Sequence, residues 1–213
     1  ADGVLVACPD GKAVDRVLEH ASCPVLTYGA HGTWTGEILG TGEQGMDFRV
    51  FEAGRERLRA RCLLVGGHNL DNLVAVSAVL LHLGLSPDEI RAGLASFEGI
   101  RRRQDLIAEV GGVAILDDFA HHPTAVRVTL LGTRLRFGER RIWAVFEPRT
   151  NTSRTDVFQA EYASAFEHAD RVLLAPVDHP EKAPEGHLMD IGQLAGEIGA
   201  HARTQGSVDE IVE

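Results

Sequence analysis

The chain has 213 residues and a mass of 23.0 kDa, room for one large domain or two small ones, since domains usually run about 100–200 residues. Hydrophobic residues make up 44% and charged residues 24%, ordinary globular values that exclude intrinsic disorder, collagen-like repeats and low-complexity scaffolds. With 21 Lys and Arg against 31 Asp and Glu the formal net charge is -10, which argues against a broad phosphate-tracking surface for DNA or RNA and leaves room for a small local anion site.

Cys8, Cys23 and Cys62 lie far apart without a CxxC pair, so reduced thiols and a cytoplasmic location are expected. No apolar run approaches the roughly 20 residues needed to span a bilayer, and the first residues lack the basic flank and long apolar stretch of a signal peptide. The chain opens on Ala1 directly before a strand-like run and stops in the helix-like Ser207 to Glu213. Both ends therefore predict a piece of a longer protein, with the missing N-terminal part of the same chain as its first partner.

In chain order, the pattern predicts a strand (Val4 to Ala7), a helix (Lys12 to His20) and a strand (Val25 to Tyr28). Three short strands follow, Thr33 to Leu39, Met46 to Phe51 and Arg57 to Val65, joined by turns at Gly40-Thr41-Gly42 and Ala53-Gly54. Asn69 or Asp71 begins an apolar helix that Gly84 stops, and Ser86-Pro87-Asp88-Glu89 is a strong start for the next helix, which ends near Phe97. After Gly99 the pattern changes. Asp105 to Val110 and Val113 to Leu116 read as a hairpin across Gly111-Gly112. Strands at Ile142 to Phe146, Arg171 to Ala175 and Ala202 to Thr204 then alternate with helices near Thr124 to Arg136, Asp156 to His168 and Leu188 to Gly199. Such alternation predicts a mostly parallel α/β sheet covered on both faces. The expected organisation is one domain over residues 1–98 and a second over residues 99–213.

Ligands of open α/β sheets bind beyond the carboxyl ends of the strands. Three such ends carry capable side chains: Asp117-Asp118 with His121-His122, then Glu147-Pro148-Arg149-Thr150-Asn151-Thr152 with Arg154, then Asp178-His179-Pro180-Glu181-Lys182. They are expected to converge on one rim. The acid and imidazole pairs suit a divalent metal, a ribose hydroxyl or a substrate, and would look alike as a helix cap with two surface histidines. Arg149 and its neighbours suit bidentate recognition of a carboxylate or phosphate. Earlier in the chain, Asn69 and Asn72 lie one helical turn apart beside His68, either as an amide pair reading adenine or as plain capping. Arg101-Arg102-Arg103 is either a solvated hinge or a phosphate clamp. Gly40-Thr41-Gly42-Glu43-Gln44-Gly45 fits GxGxxG but precedes a strand-like run instead of a helix, and no GxxxxGK[ST] loop is present.

Together GGHNLDNLVAVSAVLLHLG, IRRRQDL, LDDFAHHPTAV and FEPRTNTSRTDVF resemble the Mur ligase family in order and spacing, from about Gly66 to Lys182. The resemblance implies the C-terminal part of a central ATP-binding domain followed by a Rossmann-like, mostly parallel α/β domain, truncated at its end. It implies ATP and Mg2+ as cofactors, with the phosphate loop and main magnesium ligands upstream, so this piece alone is expected to be inactive. Carried over by motif, His68, Asn69 and Asn72 would face adenine, Arg103 the phosphates or ribose, and Asp118 the ribose. His121 and His122 would line the junction of ATP and substrate, with Asp118 and His121 as the catalytic pair. Arg149, Asn151, Thr152 and Arg154 would hold the peptide.

Family chemistry implies that ATP converts the lactyl carboxylate of UDP-N-acetylmuramate to an acyl phosphate, which an amine attacks. The branch adding a single L-alanine typically reads QPHR where this chain reads Glu147-Pro148-Arg149-Thr150-Asn151-Thr152. The resemblance therefore points to the branch joining the tripeptide L-Ala-γ-D-Glu-meso-diaminopimelate in peptidoglycan recycling, with the alanine-adding reaction as the alternative. From other classes, DD-x-x-HH also fits a metal-dependent phosphoesterase, and a noncatalytic nucleotide-binding module is a third possibility. Neither nucleic acid nor membrane is expected as a partner.

Overall fold

The computed structural model describes residues 3–207 and 209–212. It divides into two compact units, Ala1–Gly99 and Ile100–Glu213.

In the first unit, β1 (Leu5–Ala7) and β2 (Val25–Thr27) pair in parallel across α1 (Lys12–Glu19). An antiparallel meander follows: β3 (Trp34–Gly42), β4 (Gly45–Glu52) and β5 (Arg55–Cys62). Alternation along β4 sends Met46, Phe48 and Val50 inward. The other face is laced by cross-strand ion pairs, Arg49 to Glu37 at 2.7 Å and Arg61 to Asp47 at 2.6 Å. The expected Gly40–Gly42 turn is instead the end of β3, whose Gly42 pairs with Gly45. Cross-strand bonding to β4 continues the strand through both glycines, and the turn falls on Glu43 and Gln44.

Helix α2 (Gly67–His82) packs on β3 and starts earlier than expected, because Gly66 takes φ 107° and turns the chain directly into the helix. It ends in a Schellman motif: Leu85 N–H donates to Leu80 O and Gly84 N–H to Leu81 O, both at 3.1 Å. Ser86 and Glu89 form a complete capping box for α3 (Pro87–Ala95). The core joins Trp34, Phe48, Leu58, Leu73, Val74 and Ile90.

The second unit opens with a hairpin of β6 (Asp105–Val110) and β7 (Val113–Asp117). Gly111 and Gly112 both take positive φ, as a two-residue turn matching strand twist requires. Helix α4 (Pro123–Phe137) leads to β8 (Trp143–Phe146), then a 3-10 turn (Asp156–Phe158), α5 (Gln159–Ala165), β9 (Arg171–Leu174), α6 (Ile191–Ile198) and β10 (Ala202–Thr204). The strands form a parallel sheet in the order β10-β9-β8. The expected terminal helix is α7 (Asp209–Val212); positions 208 and 213 lie outside the described residues.

Ala144, Phe146, Val172 and Leu174 face a core completed by Val126, Tyr162, Phe166 and Leu194. The expectation of a sheet covered on both faces needs correction among the described residues. Trp143 and Val145, which alternate to the other face of β8, are 55% and 59% exposed. A further difference lies in the hairpin, since β7 pairs with β6 alone and forms a separate sheet.

Candidate functional site

In the first unit the chemistry collects where β1 and β2 end and α2 begins. Burial pushes the Tyr28 phenol up, and the charges of Cys8, Asp71 and Asp10 add to that. Burial likewise raises the Asp71 carboxyl, against the opposing pull of His68. Gly29 admits this approach, because a Cβ there would stand 2.9 Å from Cys8 Sγ. Asn69 is buried and donates its side-chain amide to Val65 O at 2.9 Å, whereas Asn72, one turn later, is exposed. The amide pair thus presents one anchored and one solvent-facing member. Sequence spacing named His68, Asn69 and Asn72 but passed over Tyr28 and Asp71; a polar residue following a strand and an acid between the two amides, early in the helix, were the available signals.

In the second unit Asp118 holds the turn between β7 and α4. Its carboxylate accepts from Gln104 N–H at 2.8 Å, Ala120 N–H at 2.7 Å and the Thr129 hydroxyl at 3.4 Å. Gln104 takes φ 50° and Arg102 φ 59°, so the segment carrying Arg103 is tightly kinked and the Arg103 side chain is exposed. Arg102 stacks over Phe119 and lies 3.5 Å from Asp117.

Both histidines are oriented by main chain. His121 Nδ1 lies 2.8 Å from Phe119 O, a carbonyl that can only accept, so Nδ1 is the donor and in the neutral ring Nε2 carries the lone pair. His122 Nδ1 accepts from Thr124 N–H at 3.3 Å, making His122 the N-cap of α4, and its ring meets Phe158 edge-on at 4.7 Å. Tyr162, unnoticed in the sequence, donates its hydroxyl to His121 O. Among the described residues no group of three or more His, Cys, Asp or Glu side chains is placed to hold a metal ion.

At the ends of β8 and β9 the two loops are joined directly. Asp178 N–H donates to Pro148 O at 3.0 Å. Arg154 donates through Nε to Asp178 O at 2.6 Å, through one terminal nitrogen to the Asp178 carboxylate at 3.2 Å, and through the other to Asn151 Oδ1 at 3.3 Å. Its side chain is only 8% exposed, whereas that of Arg149 is 63% exposed. Arg149 turns its Nε toward Glu147 at 3.4 Å and Asp178 at 3.9 Å. Thr152 contributes its carbonyl, which accepts from the Thr155 hydroxyl at 3.0 Å. A rim with one outward guanidinium, backed by a buried ion pair, suits an anionic group that arrives from solvent.

The family described as the glutamate ligase domain of Mur ligases matches residues 102–213, more than half of the chain. The chain belongs to the Mur ligase family. A curated relative from Salinibacter ruber, named UDP-N-acetylmuramate–L-alanine ligase, is 38% identical over 93% of this chain and 43% of its own length. The solved UDP-N-acetylmuramate–alanine ligase of Thermotoga maritima matches with a TM-score of 0.78 at 22% identity, over 98% of this chain and 44% of that one, a likeness of fold. A murein peptide ligase from Psychrobacter arcticus matches with a TM-score of 0.62 at 26% identity, over 99% of this chain and 44% of that one. The chain spans 36% to 47% of the length of the curated relatives it matches.

Proposed function

We propose that the whole protein is an ATP-dependent ligase forming an amide between the lactyl carboxylate of UDP-N-acetylmuramate and the amino terminus of L-Ala-γ-D-Glu-meso-diaminopimelate. The carrying observation is the β8 rim, where Arg149 offers its terminal guanidinium nitrogens to solvent. A tripeptide bearing several carboxylates needs an open site with cationic contacts, and a bidentate guanidinium supplies one. In the first unit, the outward Asn72 and the anchored Asn69 suit the donor and acceptor edge of adenine, with His68 beside them.

ATP would supply the phosphoryl group that activates the carboxylate as an acyl phosphate. The amine nitrogen then forms the C–N bond, phosphate leaves with the electron pair, and the ammonium proton is released. Residues of this chain act by positioning. Arg149, Asn151 and Thr152 would meet the peptide, and Asp118 would hold the turn that presents His121 with its Nε2 lone pair free. His122 would fix the start of α4. Mg2+ would neutralise phosphate charge, held by residues outside this chain. A cytoplasmic setting follows from nucleotide-activated substrates, and the three cysteines are free thiols.

A second reading, addition of a single L-alanine, is favoured by the names of curated relatives at 29–38% identity. Phosphate release by the whole protein, supplied with ATP, magnesium and UDP-N-acetylmuramate, separates the two. Release that depends on the tripeptide supports the peptide ligase, release with L-alanine alone supports the second reading, and release with neither overturns both.

A further inference from the structure

Five residues apart on one loop, Arg149 and Arg154 share a single carboxylate, that of Asp178, and use it differently. Arg154 lies 3.2 Å from Asp178 Oδ2 and adds a 2.6 Å bond from Nε to the Asp178 carbonyl. Arg149 lies 3.9 Å from the same Oδ2, outside hydrogen-bond range. The buried cation is therefore the primary partner of Asp178. Both terminal nitrogens of Arg149 are without a hydrogen bond among the described residues, and its side chain is 63% exposed.

We infer that Arg154 is a positioning residue that keeps Arg149 available: by neutralising Asp178 it prevents that carboxylate from capturing the Arg149 fork. Without Arg154, Asp178 would be a partly buried carboxylate lacking its main counterion. Two basic groups stand 3.9 Å from it, Arg149 Nε and His179 Nε2. Since His179 is already engaged by Glu181 at 2.9 Å, Arg149, which is always charged, is the replacement. The side chain of Arg149 would swing in, and the rim would lose its outward donor pair. Glu147, 3.4 Å from Arg149 Nε, is present in every variant compared. That the released fork binds the peptide's carboxylate rests on the proposed ligase function; that Arg154 governs its availability does not.

The test follows the rate at which phenylglyoxal, an arginine-selective reagent, modifies Arg149 in the folded whole protein, read by peptide mass spectrometry. Arg154→Met is expected to slow that modification about two- to fivefold, the range of one partly exposed ion pair. Asp178→Asn alone should leave it near the wild-type rate, and Arg154→Met with Asp178→Asn should restore it. Arg154→Lys, which retains the charge without the two-point reach, should fall between wild type and Arg154→Met. A merely structural role for Arg154 predicts no rescue by Asp178→Asn, and that result would overturn the inference, as would unchanged modification in Arg154→Met. The KM for the tripeptide should follow the same order while the KM for ATP stays constant. Modification that follows the order while the tripeptide KM does not would support the role of Arg154 and remove Arg149 as the peptide anchor.

Discussion

The hydroxyl of Tyr162, fully buried on α5, donates to the main-chain carbonyl of His121 in the turn between β7 and α4. One bond thus ties the sheet's helical layer to the turn that carries both histidines, across 41 residues of sequence. With Asp118 holding the same turn from its other side, the histidine pair is fixed at main-chain level before any ligand arrives.

Tyr162→Phe removes that donor and leaves a carbonyl unsatisfied, an expected loss of about 1–3 kcal/mol at neutral pH. Burial holds the Tyr162 phenol well above its ordinary value. The unfolded chain then releases this proton first, near pH 10, so the contribution is intact below that pH and declines above it by about 1.4 kcal/mol per pH unit. Chemical unfolding on either side of about pH 10 should show a shallower alkaline decline in Tyr162→Phe than in the wild type. Equal slopes would show that the buried phenol is not the source.

Asp118→Ala deletes a carboxylate that receives two main-chain N–H groups at 2.7 and 2.8 Å. We expect a stability loss of about 3 kcal/mol, seen as a lower denaturant midpoint, with a smaller loss for Asp118→Asn, whose amide oxygen still accepts. A midpoint unchanged in both variants would reduce Asp118 to a surface acid.

Arg149→Gln should separate binding from folding. Its side chain is 63% exposed, so stability should stay within about 0.5 kcal/mol of wild type. In the whole protein the tripeptide KM should rise about 10- to 100-fold, the cost of a charge-assisted contact, with the KM for ATP unchanged. A rise in both constants would point to a general disturbance of the rim.

Gly36 on β3 lies directly beneath α2, where an added Cβ would stand 2.7 Å from both Leu70 Cγ and Val74 Cγ2. Gly36→Ala is therefore expected to cost about 1–3 kcal/mol through overpacking. Thermal melting checks this, against Gly40→Ala as a control, where nothing stands within 4 Å.

Asp170 accepts from Ile142 N–H at 2.7 Å and from Arg134 at 2.6 Å, and these bonds hold its carboxyl below the usual range, the main-chain bond contributing most. Its stabilisation is present above the unfolded value near pH 3.9 and disappears as pH falls through the depressed folded value. Melting temperatures of wild type and Asp170→Asn should therefore differ at about pH 6 and converge toward about pH 2. A gap that persists in acid would assign the effect to packing.

Much of the fold was legible where the signal is local. Ser86-Pro87-Asp88-Glu89 announced a capping box, Gly84 a helix stop, and Asp105 to Val110 an edge of a glycine hairpin, because each depends on backbone groups within a few residues. Gly40 to Gly42 misled for the complementary reason: a strand is completed by its neighbour, and β4 supplied hydrogen bonds that override a preference for turning. Alternation along β8 was readable, yet only the assembled sheet showed Trp143 and Val145 on an exposed face.

For the candidate site, residue type and order in the sequence determined which side chains could act: amides in the first turns of α2, an acid and two histidines before α4, and arginines after β8. Which of them face outward was decided by tertiary structure. Arg149 and Arg154 are chemically identical and nearly adjacent, but Asp178, 24 residues beyond Arg154, buries one and leaves the other exposed. The physical reason is that local hydrogen-bonding patterns are written in consecutive residues, whereas desolvation and the choice of counterion depend on groups that only folding brings within 4 Å.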